Sequence, residues 1–311
     1  MINKNLKIYI AGHNGMVGSA ILRKLKKEGF KNLITRISGD LDLRIQSKVE
    51  TFIKHEKPEL IIDAAAIVGG IWANNNAPYK FLMDNMLIQN NLLNASVNCN
   101  VEKFIFLGSS CIYPKLAPQP IKEKDLLSGP LEETNQWYAL AKITGVKLVE
   151  SIRNEYGFDY VSLMPTNLYG PNDNFDEMTS HVIPGMISKF HKAKNENLNT
   201  VKLWGDGTPL REFLHVDDLA DAIFLFINNK AEDYIYNVGS NDELSILELA
   251  ELISNTVEFK GKILWDNKFP NGTPRKKLDS QKINDFGFKP NYFLKKNGLK
   301  AVYEWFKDNY K

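Results

Sequence analysis

Five short apolar runs, Lys7–Ala11, Leu33–Arg36, Leu60–Ala65, Lys103–Gly108 and Tyr160–Met164, punctuate the first 165 residues. Between them lie amphipathic stretches at Val17–Lys27, Gln46–Lys54, Phe81–Val97 and Trp137–Glu155. No other feature constrains the fold as tightly. Nearly continuous apolar runs suit strands buried on both faces, and their alternation with helices predicts a doubly wound parallel sheet. After Pro165 the rhythm changes. Residues 167–200 are rich in Asn, Asp and Pro, followed by a strand at Val201–Trp204, a helix at Val216–Asn228 and a strand at Ile235–Val238. A helix at Ile246–Ser254, a loop through "KFPNGTPRKK" and a last helix near Lys296–Phe306 complete the pattern. The expected organisation is a doubly wound α/β domain over 1–166, with segments near 211–240 returning to it. A smaller α/β substrate domain over 167–311 interleaves with it.

"KIYIAGHNGMVGSAI" sets Gly12, Gly15 and Gly18 at the first strand–helix junction. A tight turn, close backbone approach to a pyrophosphate and close helix–strand packing each require a residue without a side chain there. The second strand then discriminates between dinucleotides. A carboxylate at its end would accept from the ribose hydroxyls of NAD, whereas Arg suits the extra phosphate of NADP. The strand ends at Arg36 and no carboxylate precedes Asp40, so NADPH/NADP+ is expected; Arg36 as a merely solvated strand end is the other reading. Asp42 and Leu43 are placed to meet adenine, and Ala64 and Ala65 are small enough to let a cofactor lie along the sheet edge.

Tyr138 and Lys142 stand four apart on one helix and so share a face. A phenol of pKa about 10 is a poor acid or base at neutral pH, and a neighbouring ammonium would bring it toward the working range. The same Lys can hold a nicotinamide ribose. Ser109 ends the intervening strand, and Cys111, one of only two cysteines with Cys99, follows it by two residues.

Together these residues resemble the extended short-chain dehydrogenase/reductase family, over essentially the whole chain. The resemblance implies a Rossmann fold and makes Ser109, Tyr138 and Lys142 the catalytic triad. It extends the cofactor shell to Met16, Val17, Pro165, Asn167, Leu168 and His181. "SSCIYPK" lacks the acidic pair of the family's dehydratases. The strings "MPTNLYGPNDNF", "SHVIP", "WGDGTPLREFLHVDD" and "PNGTPRKKLD" are similar to the branch that makes GDP-L-fucose from GDP-4-keto-6-deoxy-D-mannose. That resemblance implies Cys111 as the base and His181 as the acid that invert C3 and C5 beside a C4 ketone, followed by NADPH reduction of C4. A thiol of pKa about 8.5 needs a nearby positive charge to act as a thiolate at neutral pH. Lys142, a charged His181 or the nicotinamide ring would supply it.

For the GDP-sugar, Arg211 is a candidate diphosphate clamp. Trp204 offers a flat face for guanine or ribose, or else belongs to the core. Asn167 and Asp279 would contact sugar or base. Lys189 is either a phosphate partner or a solvated helix residue. The chain departs from the family where Asn14 and Lys189 stand in positions commonly held by Arg. A reductase of another GDP-4-keto sugar, such as a heptose, and a non-catalytic dinucleotide-sensing scaffold remain as other readings.

A formal charge of +2 on 311 residues gives no reason to expect a nucleic-acid or membrane partner. Two cysteines are too few for a disulfide framework, and no apolar run approaches the ~20 residues of a membrane span, which points to the cytoplasm. No metal site is expected. The family commonly pairs its fourth and fifth helices, here Phe81–Val97 and Trp137–Glu155, so a homodimer is implied.

Overall fold

A computed structural model describes residues 3–177, 179–268 and 271–310. Positions 269 and 270 of the "KFPNGTPRKK" loop lie outside the described residues. Strand β1 (Ile8–Ala11) leads through helix α1 (Met16–Lys27) to β2 (Leu33–Ile34). Helix α2 (Gln46–Glu56), β3 (Leu60–Asp63), α3 (Ile71–Asn76), α4 (Pro78–Asn98) and β4 (Lys103–Leu107) follow. Then come α5 (Gln136–Tyr156), β5 (Asp159–Pro165) and β6 (Asn167–Tyr169). Helix α6 (Val182–Asn195), β7 (Thr200–Trp204), β8 (Leu210–His215), α7 (Val216–Asn228) and β9 (Ile235–Val238) carry the chain onward. It closes with β10 (Glu243–Ser245), α8 (Ile246–Val257), β11 (Lys262–Asp266), β12 (Arg275–Lys276), α9 (Gln281–Asp285) and α10 (Leu299–Asn309).

The main sheet is parallel, in the order β2-β1-β3-β4-β5-β9. Its strands are sorted strictly by alternation. Ile8, Ile10, Ile105, Leu107, Val161 and Leu163 pack beneath α1 and α7. Their neighbours Tyr9, Ala11, Phe104, Phe106, Tyr160 and Met164 pack beneath α2, α4 and α5. This is why both residue parities had to be apolar. The chain leaves β1 toward one edge and β3 toward the other, opening a crevice at their carboxyl ends where such sheets bind ligands.

A third core joins α6, α8 and α10 to β7 and β8. A small sheet in the order β10-β8-β12, with β6 also on β8, faces the crevice side. Local signals explain several boundaries: Pro78 opens α4, Gly157 at φ 73° stops α5, and a Ser245–Glu248 capping box starts α8. The composition of 167–200 set no helix bounds, although Lys189 was weighed as a helix residue; α6 occupies 182–195. Pro184 and Gly185 obscure its period, but both fall in the first turn, where the amide that proline lacks has no helical partner to lose. The strand expected through Arg36 stops at Ile34, because β2 is a sheet edge bonded only to β1.

Candidate active site

The glycine loop is built by three different close approaches. Gly12 has φ +75°, and a Cβ there would lie 2.6 Å from the Ala64 carbonyl oxygen. A Cβ on Gly18 would lie 2.2 Å from the Gly12 oxygen. Gly15 instead meets nothing closer than 3.5 Å, so its missing side chain leaves open space. Gly15 is also the N-cap of α1, makes no side-chain cap bond, and is followed by no acidic residue in the first turn. Free amides at a positive helix end, with an open cradle in front, fit a pyrophosphate. Met16 and Val17 form that turn, half-buried, and Ala64 and Ala65 wall its other side. The residues present therefore fit a dinucleotide.

Arg36 lies exposed beyond β2, with its guanidinium on Glu56 Oε1 at 2.7 Å and over the Phe52 ring at 5.3 Å. It is thus engaged rather than free. Asp42 accepts from the Arg44 amide and guanidinium, whose charge holds its carboxyl well below the usual range. Leu43 accepts through its carbonyl from Asn91 Nδ2 at 2.9 Å. Pro165 is buried at the end of β5. Half-buried Asn167 donates to the Glu212 carbonyl at 2.8 Å, and Leu168 packs on the first core.

At the end of β4, Ser109 starts a 3₁₀ turn over Ser110–Ile112, its Oγ accepting from the Cys111 amide at 3.2 Å. Half-buried Cys111 receives Asn135 Nδ2 at 3.3 Å and Lys276 Nζ at 3.7 Å on its sulfur. The sequence reading had assigned the neighbouring charge to Lys142, His181 or the nicotinamide ring. Lys142 instead donates to the Leu107 carbonyl at 2.8 Å, and Lys276 is the cation at the thiol.

Lys142 and Tyr138 share a helix face as expected, with Nζ 5.9 Å from the Tyr138 ring. The expected lowering of the phenol does not occur. Burial, with the charges of Cys111 and Asp63 adding to it, pushes Tyr138 above its ordinary value, so its hydroxyl stays protonated. Burial brings Lys142 down to about 8, opposed by the carboxylate of Asp63. Asp63 itself, at the end of β3, is fully buried, pushed up to about 6, and has an Oδ2 without a hydrogen-bond partner.

His181 is the exposed N-cap of α6. The segment just before it meets the start of α3, where Gly70 donates to the Thr179 carbonyl at 3.1 Å. Trp204 is exposed rather than core, and half-buried Lys189 lies over its ring at 5.1 Å. Arg211 rests on the Leu210 carbonyl at 2.9 Å. Lys189 and Arg211 form no ion pair among the described residues, which leaves both charges available to a diphosphate. Asp279 turns its carboxylate to the Gln281 amide at 3.0 Å and to Lys122 at 3.9 Å. Sequence reasoning passed over Asn135, Lys276 and Asp63, although all three stand inside or beside strings it used: "NQWY", "PRKKLD" and "LIIDAAA".

A glycine-lined switch-point crevice, closed by a Ser–Tyr–Lys set, defines a dinucleotide-dependent enzyme of the doubly wound α/β class. The NAD dependent epimerase/dehydratase family profile matches residues 8–239, and the chain belongs to that family. It is similar to GDP-L-fucose synthase 1 of Arabidopsis thaliana, with 50% identity over 310 residues, 99% of this chain and 95% of that protein. Among solved structures it resembles a GDP-6-OMe-4-keto-L-xylo-heptose reductase from C. jejuni, with TM-score 0.93, 35% identity and 99% of each chain covered. It also resembles a GDP-L-fucose synthetase from Naegleria fowleri bound to NADP, with TM-score 0.89 and 29% identity, covering 100% of this chain and 97% of that one.

Proposed function

We propose that this chain converts GDP-4-keto-6-deoxy-D-mannose to GDP-L-fucose, inverting C3 and C5 and then reducing C4. The observation that carries this reading is the thiol of Cys111, set beside Ser109 and against Tyr138. A ketone reductase needs a proton donor at the carbonyl, whereas inversion of the flanking carbons needs a base as well. The full-length similarity to a GDP-L-fucose synthase supports it. NADPH, when bound along the glycine loop, supplies the hydride for C4.

The remaining work falls to side chains of this chain. Cys111 Sγ, as thiolate, takes the proton from C5 and later from C3, and the electron pair moves onto the C4 oxygen. The hydroxyls of Ser109 and Tyr138 donate to that oxygen while it carries charge. A ring nitrogen of His181 delivers a different, solvent-derived proton to the opposite face, and Cys111 and His181 exchange protons with solvent before the second inversion. Tyr138, held protonated by burial, gives its proton to O4 on reduction, and Lys142 holds the nicotinamide ribose. Arg211, Lys189 with Trp204, Asn167 and Asp279 form the GDP side. Residues 1–166, with the strand and helix returning near 211–240, act as the cofactor unit, and 167–311 mainly as the substrate unit.

Met83 and Leu87 on α4 and Leu140 on α5 are exposed apolar residues, which supports homodimer formation through these two helices. No helix among the described residues is long and apolar enough to cross a membrane, and both cysteines are unpaired, in keeping with work in the cytoplasm.

In deuterated water, Cys111→Ser should lose label at C3 and C5 and slow inversion by at least ~100-fold, the lower range for a positioned base. It should still reduce the uninverted ketone. His181→Asn should keep exchanging label yet release little inverted product. Rapid labelling at both carbons in Cys111→Ser would remove the thiol from the mechanism. Similarity to the heptose reductase favours a second reading, reduction of a GDP-4-keto-heptose. Product stereochemistry by NMR, with both ketones offered, separates the two.

A further inference from the structure

We infer that Lys276 is a positioning residue for Cys111, the cation that stabilises negative charge on its sulfur from a seat fixed by the β12 pairing. The inference rests on the reading of Cys111 as a base and extends it to a residue 165 positions further along the chain.

Both partners of the sulfur are donors. Lys276 Nζ stands 3.7 Å away and Asn135 Nδ2 stands 3.3 Å away. No acceptor meets the thiol among the described contacts, so the surroundings favour the form that accepts. Lys276 has no carboxylate of its own in an ion pair among the described residues, and its charge is not already neutralised. The other titratable or charged groups facing the sulfur are Arg211 on β8 and Tyr138 on α5. Tyr138 remains neutral, and Glu132, the nearby carboxylate that Arg211 also feels, is tied to Lys115 at 3.0 Å. The local balance at Cys111 is therefore positive.

The backbone of Lys276 is held from three directions. It pairs with β8 in parallel register, Lys276 opposite Arg211. The preceding Arg275 is bidentate to Glu243 at 2.8 and 2.7 Å. The following residues bond to the first domain and to β8: Lys277 N donates to Gln119 Oε1 at 2.9 Å, and Leu278 N to Glu212 Oε2 at 2.9 Å. An ammonium on a flexible four-carbon stem gains little from a distant anion unless its base is fixed, and these bonds fix it.

The test is alkylation of Cys111 by iodoacetamide across pH, followed by mass spectrometry, with Cys99 in the same chain as the internal reference. Lys276→Met should slow alkylation of Cys111 near pH 7 by roughly tenfold, while Cys99 is unchanged. Lys276→Arg should restore most of the rate. Deuterium exchange at C3 and C5 should slow in step, with reduction of the uninverted ketone preserved. An unmoved Cys111 profile in a folded, NADPH-binding Lys276→Met protein overturns the inference. So does a rise in KM alone, which would make Lys276 a substrate contact. If Lys276→Met fails to fold, Lys276→Gln carries the same measurement. Persistent exchange in Cys111→Ser would instead sink the base assignment, whatever the alkylation profile of Lys276→Met.

Discussion

The cofactor end and the thiol end of the crevice are built on opposite plans. At the cofactor end, seven consecutive residues from Gly12 to Gly18 make the turn, the helix start and the cradle, and only Ala64 and Ala65 come from elsewhere. At the thiol end, one sulfur is surrounded by Ser109, Asn135, Tyr138, Arg211 and Lys276, which come from four separate stretches of chain. The first site is a backbone conformation. The second is a meeting of side chains, and it exists only because β12 lies beside β8 and the loop at 119–121 bonds to Lys277 and Leu278 just after it. Binding through backbone amides tolerates distant change, whereas a charge balance at one atom depends on every element that contributes to it.

The sharpest way to separate the two ends is through Tyr138, which stands between them. Tyr138→Phe removes the proton that C4 reduction requires but touches neither the glycine loop nor the Cys111–Lys276 contact. NADPH oxidation should fall by ~100- to 10,000-fold, while the NADPH dissociation constant stays within about twofold of the parent. Loss of binding in step with loss of turnover would mean that the two ends are not separable.

A smaller effect is expected at Arg36. Arg36→Ala should raise KM for NADPH by roughly 10- to 150-fold, the range for one charge-assisted hydrogen bond, with little change for NADH. Because Arg36 is held by Glu56, Glu56→Gln should tighten NADPH by freeing the guanidinium. Equal changes for both cofactors would leave Arg36 as a surface residue and Asn14 with no counterpart for its missing charge.

The smallest effect concerns pH. Lys142 is brought down to about 8 by burial, so its ammonium is present below that value and disappears as pH rises through it. Reduction should therefore decline above about pH 8, approaching tenfold per unit. The Asp63 carboxylate favours the ammonium, so Asp63→Asn should move this limb to lower pH. A limb that stays in place in Asp63→Asn would detach Lys142 from the alkaline decline.

Legibility in the sequence followed the same division. The main sheet and its helices could be read because each strand is apolar at both parities and each helix shows its own period. Arg211, Lys189 and Trp204 were named one by one, yet the seat of Lys189 over the Trp204 ring was not, since α6 and β7 are brought together only by packing on a third core. The bounds of helix α6 went unread, although Lys189 was weighed as a helix residue, because its first turn carries Pro184 and Gly185. The phenol of Tyr138 was expected to be lowered by its helix neighbour, but burial outweighs a charge whose nitrogen lies 5.9 Å from the ring and bonds elsewhere.

What the sequence by itself determined is whatever a few neighbouring residues decide: a glycine turn that no side chain can replace, a Tyr and a Lys four apart, a thiol two residues beyond a serine. What only the tertiary structure decided is the charge state those groups are offered. Burial of Tyr138, Lys142 and Asp63 depends on what the sheet and helices place around them. The cation at Cys111 comes from 165 residues away. Desolvation and Coulomb interaction act through space and not along the chain, so their sources at this site could be located only once the chain had folded.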